Sequence, residues 1–401
     1  MSVTQIRLFF LGNGLQASQP LLWVIGFFAF LNVYSIQAVL PMVMNDFQIS
    51  AVQAGMTVGA PILAVGLLSP FMGMLSDALG RKSILCLSMI AMTLPTALIP
   101  ISHSFNTLIG LRFLQGLAVP GIVVVLIAYI AEEFRESGGI ARMTSTYVGG
   151  TVMGGFSGRF ITGHMTDLVG WRGAFVTLAI MNFLGALLAL WLLPASRHFV
   201  PNRNLGGALG TLGRHLKNKA LLAFCAVGFC VFFSLAGAFT YVNLYLAAAP
   251  FKLSAAGLGN VFAVYLVGVL VTPFAGRHIE RLGFRTSLLG ALAISASGLL
   301  LTLVTALPVI IVGLTVCSMG VFICQSATIS AISRTVTEGR SLATGLYYMC
   351  YYAGGAVGTW GTGMAFECWG WDGSVTTIAL VQAFSAVMVL SIWGPPRAKS
   401  A

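Results

Sequence analysis

Two arginines lie inside long stretches of apolar residues, where a charged side chain is unusual. Arg112 and Gln115 are three residues apart, so a helix would place them on one face. Helix geometry would put Arg112 and Arg159 at similar depth, roughly 24 to 27 Å from one end of their helices. Either cation could attract an anionic group or pair with Asp46 or Asp167, and backbone carbonyls are a further partner for Arg112.

The acidic residues are placed differently from the arginines. All ten Asp and Glu residues lie at or beyond the ends of the apolar stretches, so no carboxylate can carry a proton midway along one. If protons are coupled to the function, Asp46 and Asp167 are our candidates. A nearby cation such as Arg112 is released or engaged when such a carboxylate titrates.

Polar and aromatic side chains inside the apolar stretches are candidates for lining a binding cavity. The tyrosines between residues 347 and 352 could form an amphipathic wall, although tyrosines at helical spacing equally suit packing. Besides the two arginines, the candidate binding or coupling residues are Gln115, Tyr34, Gln37, Tyr147, Tyr241, Asn243, Gln325, Tyr347 and Tyr351.

Composition indicates that the apolar stretches are membrane spans. Of the 401 residues, 58% are hydrophobic and 8% are charged, whereas soluble domains have about 25% charged residues. Segments of about 20 apolar residues match a hydrocarbon core of about 30 Å, and without strand-like alternation they must be helices. We predict an all-α membrane protein of twelve transmembrane helices, beginning near Leu21, Ala51, Ile84, Leu108, Met143, Gly173, Ala220, Ala256, Leu288, Pro308, Leu342 and Ser374.

Basic residues collect on one side of the predicted membrane. Of the 21 Lys and Arg residues, 17 fall in the tails or in the connections that follow even-numbered spans. By the positive-inside rule these regions and both termini are cytoplasmic. The net charge of +11 therefore reflects topology, and we expect a lipid bilayer and no nucleic acid as partner. The first span is long enough to cross the bilayer, so we expect no cleavable signal.

The chain contains an internal repeat. Residues 69–82 recur as 272–285, and residues 144–173 recur as 344–373, with matched glycines and a matched tryptophan in the second pair. Repeated six-helix halves are one architecture of transporters, with the binding site between the halves. We predict one half at residues 1–194 and another at 220–401. The basic segment 195–219 would be a cytoplasmic linker, either lying on the inner membrane surface or loose.

The loop after the second span has the spacing G-x-x-x-D-x-x-G-R-K. It resembles the signature loop of the major facilitator superfamily. Gly73 would let two helices approach closely, and Gly80 would permit a tight turn. The resemblance implies a charge-relay latch that holds one conformation, although a basic turn that only sets topology is the alternative. The predicted latch residues are Gly73, Asp77, Gly80, Arg81, Lys82, Glu280, Arg285 and Glu338.

The fourth and fifth spans carry further resemblances. Leu108 to Gly116 is similar to the superfamily pattern L-x-x-x-R-x-x-Q-G, which implies that Arg112 serves proton coupling or substrate contact. Gly150 to Arg159 resembles the exporter motif G-x-x-x-G-P-x-x-G-G, with a glycine at position 155 for the proline and an arginine for the last glycine. These departures weaken an assignment as a drug–proton antiporter from this motif alone.

Patterns typical of enzymes are missing from the sequence. It contains no G-x-x-x-x-G-K-S/T, H-E-x-x-H or G-x-S-x-G motif. The five histidines are scattered and the seven cysteines form no C-x-x-C pair. We therefore expect no catalytic residues, no cofactor and no metal site.

The whole chain resembles a major facilitator of the YnfM-like, arabinose-efflux-permease-like branch. That resemblance implies export of a small molecule or drug in exchange for protons, by a monomer in a bacterial inner membrane. The two intramembrane arginines leave open the uptake or exchange of an organic anion. A non-transporting membrane sensor with a transporter fold is a third hypothesis.

Overall fold

The protein is helical throughout the part that the structure describes. This computed structural model describes residues 19–134, 139–196, 213–267, 283–336 and 340–392. None of these residues lies in a β-strand. Large apolar side chains such as Leu67, Leu94, Leu380 and Phe384 are exposed, as a surface in contact with lipid requires.

The first span is bent. It consists of Gln19–Leu31 and Leu40–Phe47, connected through a 3-10 turn at Ser35–Val39, and its two parts meet at 47°. A capping box follows, in which Ser50 Oγ accepts a hydrogen bond from the Gln53 amide and the Gln53 side chain accepts one from the Ser50 amide. This reciprocal pair satisfies two amides at the start of the second span.

The remaining helices follow in the predicted order. They are Ala51–Leu79, Arg81–Leu98, Phe105–Glu133, Ile140–Leu192, Lys219–Ala247, Ala255–Val261, Phe284–Leu301, Leu307–Thr335 and Arg340–Ile392. In the described chain, eight helices are long and apolar enough to cross a membrane.

Two of these helices are too long for one crossing. Ile140–Leu192 and Arg340–Ile392 each have 53 residues. A straight helix of that length would measure about 80 Å, against a hydrocarbon core of about 30 Å. They are interrupted at Gly170 and Gly370, where the backbone leaves the helical region. Each therefore supplies two spans, and with the bent first span and Ala255–Val267 the helices account for the twelve predicted spans.

The internal repeat is visible in the backbone. In the described residues, the glycines with positive φ are Gly80 at 97°, Gly170 at 75°, Gly283 at 79° and Gly370 at 61°. Gly80 and Gly283 occupy matching repeat positions, as do Gly170 and Gly370. A side chain is strained at such φ values, so glycine allows the chain to reverse at the same point in each copy.

The described residues belong to two compact units. The first contains the described part of Met1–Leu205 together with Leu246–Phe262, and the second contains the described parts of Gly206–Tyr245 and Ala263–Ala401. The beginning of the eighth span thus packs with the first unit. The division into halves at 1–194 and 220–401 stays a prediction, and residues 197–212 of the predicted linker lie outside the described part.

Glycines bring the fifth span directly against the first. A Cβ atom at any of three glycines would overlap a backbone carbonyl of the first span, in the pairs Gly150 with Trp23, Gly154 with Phe27 and Gly158 with Leu31. Since both sets of numbers rise together, the two spans run parallel. The second unit repeats this contact, with Gly354 against Phe229 and Gly358 against Phe233.

We predict that Gly150→Ala destabilises the protein, because its new methyl group would overlap the Trp23 carbonyl. Overpacking of this kind lowers the free energy of unfolding by about 1–3 kcal/mol. Gly149→Ala is the matched control, since a Cβ there lies 3.9 Å from the Trp23 ring, an ordinary contact. Thermal unfolding of both variants in detergent measures the effect, and equal midpoints would contradict the prediction.

Candidate functional site

Arg112 lies at the centre of the first unit and is completely buried. Its Nε donates to the Thr57 carbonyl at 3.0 Å. Its Nη1 donates to the Asn32 carbonyl at 2.9 Å and to Gln115 Oε1 at 2.6 Å, and its Nη2 donates to the Val33 carbonyl at 2.5 Å. The guanidinium group therefore connects the fourth span to the first and second spans.

The reason for this arrangement is the break in the first span. The helix Gln19–Leu31 ends inside the unit, so the carbonyls that follow it lose the regular hydrogen bonds of a helix, although the Asn32 carbonyl also accepts from Ser35. The C-terminal end of a helix also carries partial negative charge, which a cation stabilises. Arg112 supplies both the donors and the charge. Of the alternatives open for this residue, bonding to backbone carbonyls is the one observed.

Gln115 extends the same network to the third span. Its Nε2 donates to Thr96 Oγ1 at 2.8 Å, while its Oε1 accepts from Arg112. Both polar ends of the Gln115 amide are thus satisfied inside the first unit, where an unpaired amide would be costly. The predicted shared face of Arg112 and Gln115 is therefore observed, with a direct hydrogen bond between the two side chains.

The two candidate proton carriers lie away from Arg112. Asp46 Oδ2 accepts from Arg172 Nη2 at 2.9 Å and from the Trp171 indole at 3.1 Å. Asp167 Oδ2 accepts from the Ala256 amide at 3.3 Å, at the start of the eighth span. Asp46 therefore pairs with Arg172. The alternative that the sequence left open, a pair between Asp46 and Arg112, is not observed.

Arg159 occupies a different kind of site from Arg112. Its guanidinium carbon lies 4.5 Å from the centre of the Tyr34 ring and 4.3 Å from that of Phe262. Its Nε donates to Gln37 Oε1 at 2.7 Å, and its Nη1 donates to the Gly155 carbonyl at 2.7 Å. Only 3% of the residue is exposed. Aromatic faces attract a cation, and more strongly where water is excluded.

The structure brings together three residues that the sequence singled out separately, namely Tyr34, Gln37 and Arg159. Phe262 was missed, because nothing distinguishes it among the 27 phenylalanines of the chain. Tyr147 lies three helical turns from Arg159, where its backbone and ring pack against Gly26 of the first span. It therefore does not join the Arg159 cluster.

Another cluster in the first unit consists of charged residues of the second, third and fourth spans. Arg81 makes ion pairs with Asp77 and with Glu132, the latter at 2.6 Å, and its Nη1 also donates to Ser76 Oγ. Glu132 was not among the predicted latch residues. Two of those residues, Glu280 and Glu338, lie outside the described part of the chain.

Among the described residues, the predicted close approach at Gly73 is not observed. A Cβ atom there would have Val124 Cγ1 as its nearest described neighbour, at 3.9 Å, which is an ordinary contact. The close approach between the second and fourth spans occurs at Gly116, where a Cβ would overlap the Pro61 carbonyl. The expected tight turn at Gly80 is present, with φ 97° before Arg81 and Lys82.

The second unit contains the predicted aromatic wall as a packed cluster. Tyr351 stacks on Phe232 with ring centres 4.3 Å apart and planes 3° apart. Tyr347 lies against Gly228 and is fully buried. The contacts among these tyrosines are Tyr347 with Tyr348 and Tyr351, Tyr348 with Tyr351 and Tyr352, and Tyr351 with Tyr352.

The other candidates of the second unit make hydrogen bonds to backbone carbonyls. Tyr241 donates its hydroxyl to the Thr359 carbonyl at 2.6 Å, and Asn243 Nδ2 donates to the Phe239 carbonyl at 3.3 Å. Gln325 is half-buried on the tenth span. Tyr241 thus connects the seventh and eleventh spans within this unit.

The apolar helices define a multi-pass membrane protein. The family model of the Major Facilitator Superfamily matches residues 22–259 and 246–401, and the chain belongs to this family. Members of this family transport solutes across membranes, and the protein is not an enzyme.

Similar proteins support the same assignment. The inner membrane transport protein YnfM of Escherichia coli (strain K12) is 31% identical over 360 residues, covering 89% of this chain and 85% of YnfM. An uncharacterized transporter of Buchnera aphidicola subsp. Schizaphis graminum is 31% identical over 369 residues, covering 92% and 89%. The predicted resemblance to the YnfM-like branch is therefore confirmed.

Solved structures share the fold. A variant of the nucleoside transporter NupG superposes with a TM-score of 0.79 at 12% sequence identity, covering 94% of this chain and 100% of NupG. At 12% sequence identity, this structural similarity is evidence for the fold and not for the substrate. The predicted twelve-helix major facilitator fold is confirmed.

We predict that Arg112→Lys destabilises the folded protein, because an ammonium group cannot reproduce four planar hydrogen bonds to three separate spans. Leaving a buried carbonyl without a donor costs about 1–3 kcal/mol. Arg142→Lys is the control, since Arg142 makes one exposed contact, to Gln19, and surface substitutions change stability by about 0.5 kcal/mol or less. Thermal unfolding in detergent compares them. A similar midpoint for both variants would mean that Arg112 does not hold the broken span.

Proposed function

We propose that this facilitator exports a small molecule or drug by alternating access, in exchange for protons. It acts as a monomer in a bacterial inner membrane, with both termini in the cytoplasm and the halves 1–194 and 220–401 joined by the linker 195–219. The observation that supports export is the glycine-mediated packing of the fifth span on the first, since the exporter motif places its glycines at these positions. The similarity to YnfM, an inner membrane transport protein, supports this location.

The contact between Asp167 and Ala256 supports coupling to protons. Asp167 and Arg159 share the fifth span, and the eighth span begins at the amide that Asp167 binds. An ionised carboxylate is a stronger acceptor than a protonated one, particularly at the positive end of a helix. Proton uptake by Asp167 would weaken this contact and favour separation of the eighth span from the fifth. Proton release would restore it.

The site of Arg159 supports a second candidate function, the uptake or exchange of an organic anion. The guanidinium group is held in place by Gln37 and Gly155, and Phe262 covers one of its faces. A planar guanidinium recognises a carboxylate or phosphate through two parallel hydrogen bonds. An anionic substrate would then take the place of Phe262 beside Arg159.

The decisive experiment measures solute and proton movement in proteoliposomes. A thermal-shift screen of organic anions, sugars and cationic drugs at two pH values first identifies a ligand. We expect substrate-driven proton movement that Asp167→Asn reduces and Arg159→Ala leaves in place. Loss of binding in Arg159→Ala, with retained binding in the control Arg142→Ala, would instead establish the anion transporter. Ligand binding without flux of any solute would favour the sensor.

We predict that Asp77→Asn slows transport more than it weakens binding, because it removes one of the two carboxylates that hold Arg81. Loss of one charge-assisted hydrogen bond, about 1.5 kcal/mol, corresponds to roughly a tenfold change in rate. Asp372→Asn is the control, since Asp372 is an exposed acid at the start of the twelfth span. Parallel flux and ligand-binding titrations separate the two effects. Normal flux with weakened binding would contradict the latch.

A further inference from the structure

A groove lies between the ninth and twelfth spans in the second unit. Its volume is about 490 Å³, and its lining residues are Arg285, Thr286, Leu289, Gly290, Ala293 and Leu390. The two spans are held together deeper in the unit, where Gln382 Nε2 donates to Ser295 Oγ at 3.0 Å. The groove is therefore the region where the start of the ninth span and the end of the twelfth span separate.

One end of the groove is polar and cationic. Arg285 follows Gly283 and begins the ninth span, at the membrane end where the basic connections collect. Its Nε is buried and has no hydrogen-bond partner in the described chain. A buried donor without an acceptor is unfavourable. The site therefore favours an acceptor that carries negative charge.

The rest of the groove is apolar and open to the surface. A Cβ atom at Gly290 would meet no neighbouring atom within 4 Å. Leu390 is 48% exposed on the opposite side of the groove. The apolar lining continues from Arg285 along the helices and away from the membrane end. This shape fits an extended hydrocarbon chain attached to an anionic head.

We propose that this groove binds an anionic phospholipid of the cytoplasmic leaflet, with its phosphate at Arg285 and an acyl chain between Leu289 and Leu390. Basic pockets between spans on the cytoplasmic side are suited to anionic lipid headgroups, because the leaflet supplies the anion and the pocket supplies the donors. A free phosphate would use the Arg285 end alone. A peptide or soluble ligand would gain nothing from apolar walls that face the lipid tails.

The test is lipid binding by the purified full-length protein, measured by native mass spectrometry in mild detergent. Phosphatidylglycerol is titrated against phosphatidylcholine, and inorganic phosphate is added as a competitor. We expect preferential binding of phosphatidylglycerol that inorganic phosphate does not displace. Arg285→Gln should weaken this binding by about fivefold, the contribution of one basic residue near an anionic lipid surface, and Arg285→Lys should retain most of it.

Two further variants distinguish lipid binding in the groove from a general electrostatic attraction of the protein for anionic lipid. Lys219→Gln removes an exposed cation at the same membrane end, and it should bind phosphatidylglycerol as the wild type does. Gly290→Leu should weaken binding with Arg285 intact, since the new side chain fills open space in the groove. Equal losses in Arg285→Gln and Lys219→Gln would overturn the proposal. Unchanged binding in Gly290→Leu, or displacement of the lipid by inorganic phosphate alone, would overturn it too.

Discussion

The bond between Arg112 and the broken end of the first span is the interaction on which the first unit depends. A helix that stops inside a membrane protein leaves carbonyls that lipid cannot satisfy. Arg112 donates to two of them, at Asn32 and Val33, and to the Thr57 carbonyl of the second span. The bend places Tyr34 and Gln37 beside Arg159, so the candidate site exists only because the break is stabilised.

Arg112 and Arg159 show how one residue type can occupy two different kinds of buried site. The donors of Arg112 are directed at backbone carbonyls and at Gln115, which leaves this group to hold helices together. Arg159 is flanked by the rings of Tyr34 and Phe262, whose faces stabilise a cation. Backbone carbonyl partners therefore mark Arg112 as a structural arginine, whereas aromatic partners leave Arg159 as the candidate binding arginine.

Repetition of a few glycines organises both units. Gly80 and Gly283 turn the chain before the third and ninth spans, and Gly170 and Gly370 divide the two longest helices. Glycines on the fifth and eleventh spans then allow backbone contact with the first and seventh. The most constrained backbone positions therefore recur in both copies. The side chains around them differ, so that the first unit holds buried arginines and the second holds stacked tyrosines.

The sequence by itself determined the helical fold, the number of spans and the internal repeat, because hydropathy, span length and glycine spacing are properties of neighbouring residues. It also singled out Arg112, Gln115, Arg159 and their possible partners. Only the tertiary structure decided that Arg112 binds carbonyls, that Asp46 pairs with Arg172, and that Phe262 covers Arg159. These contacts join residues far apart in the chain, and packing alone selects among many chemically equivalent partners. Helical periodicity shows which residues share a face, but not which face of another helix they meet.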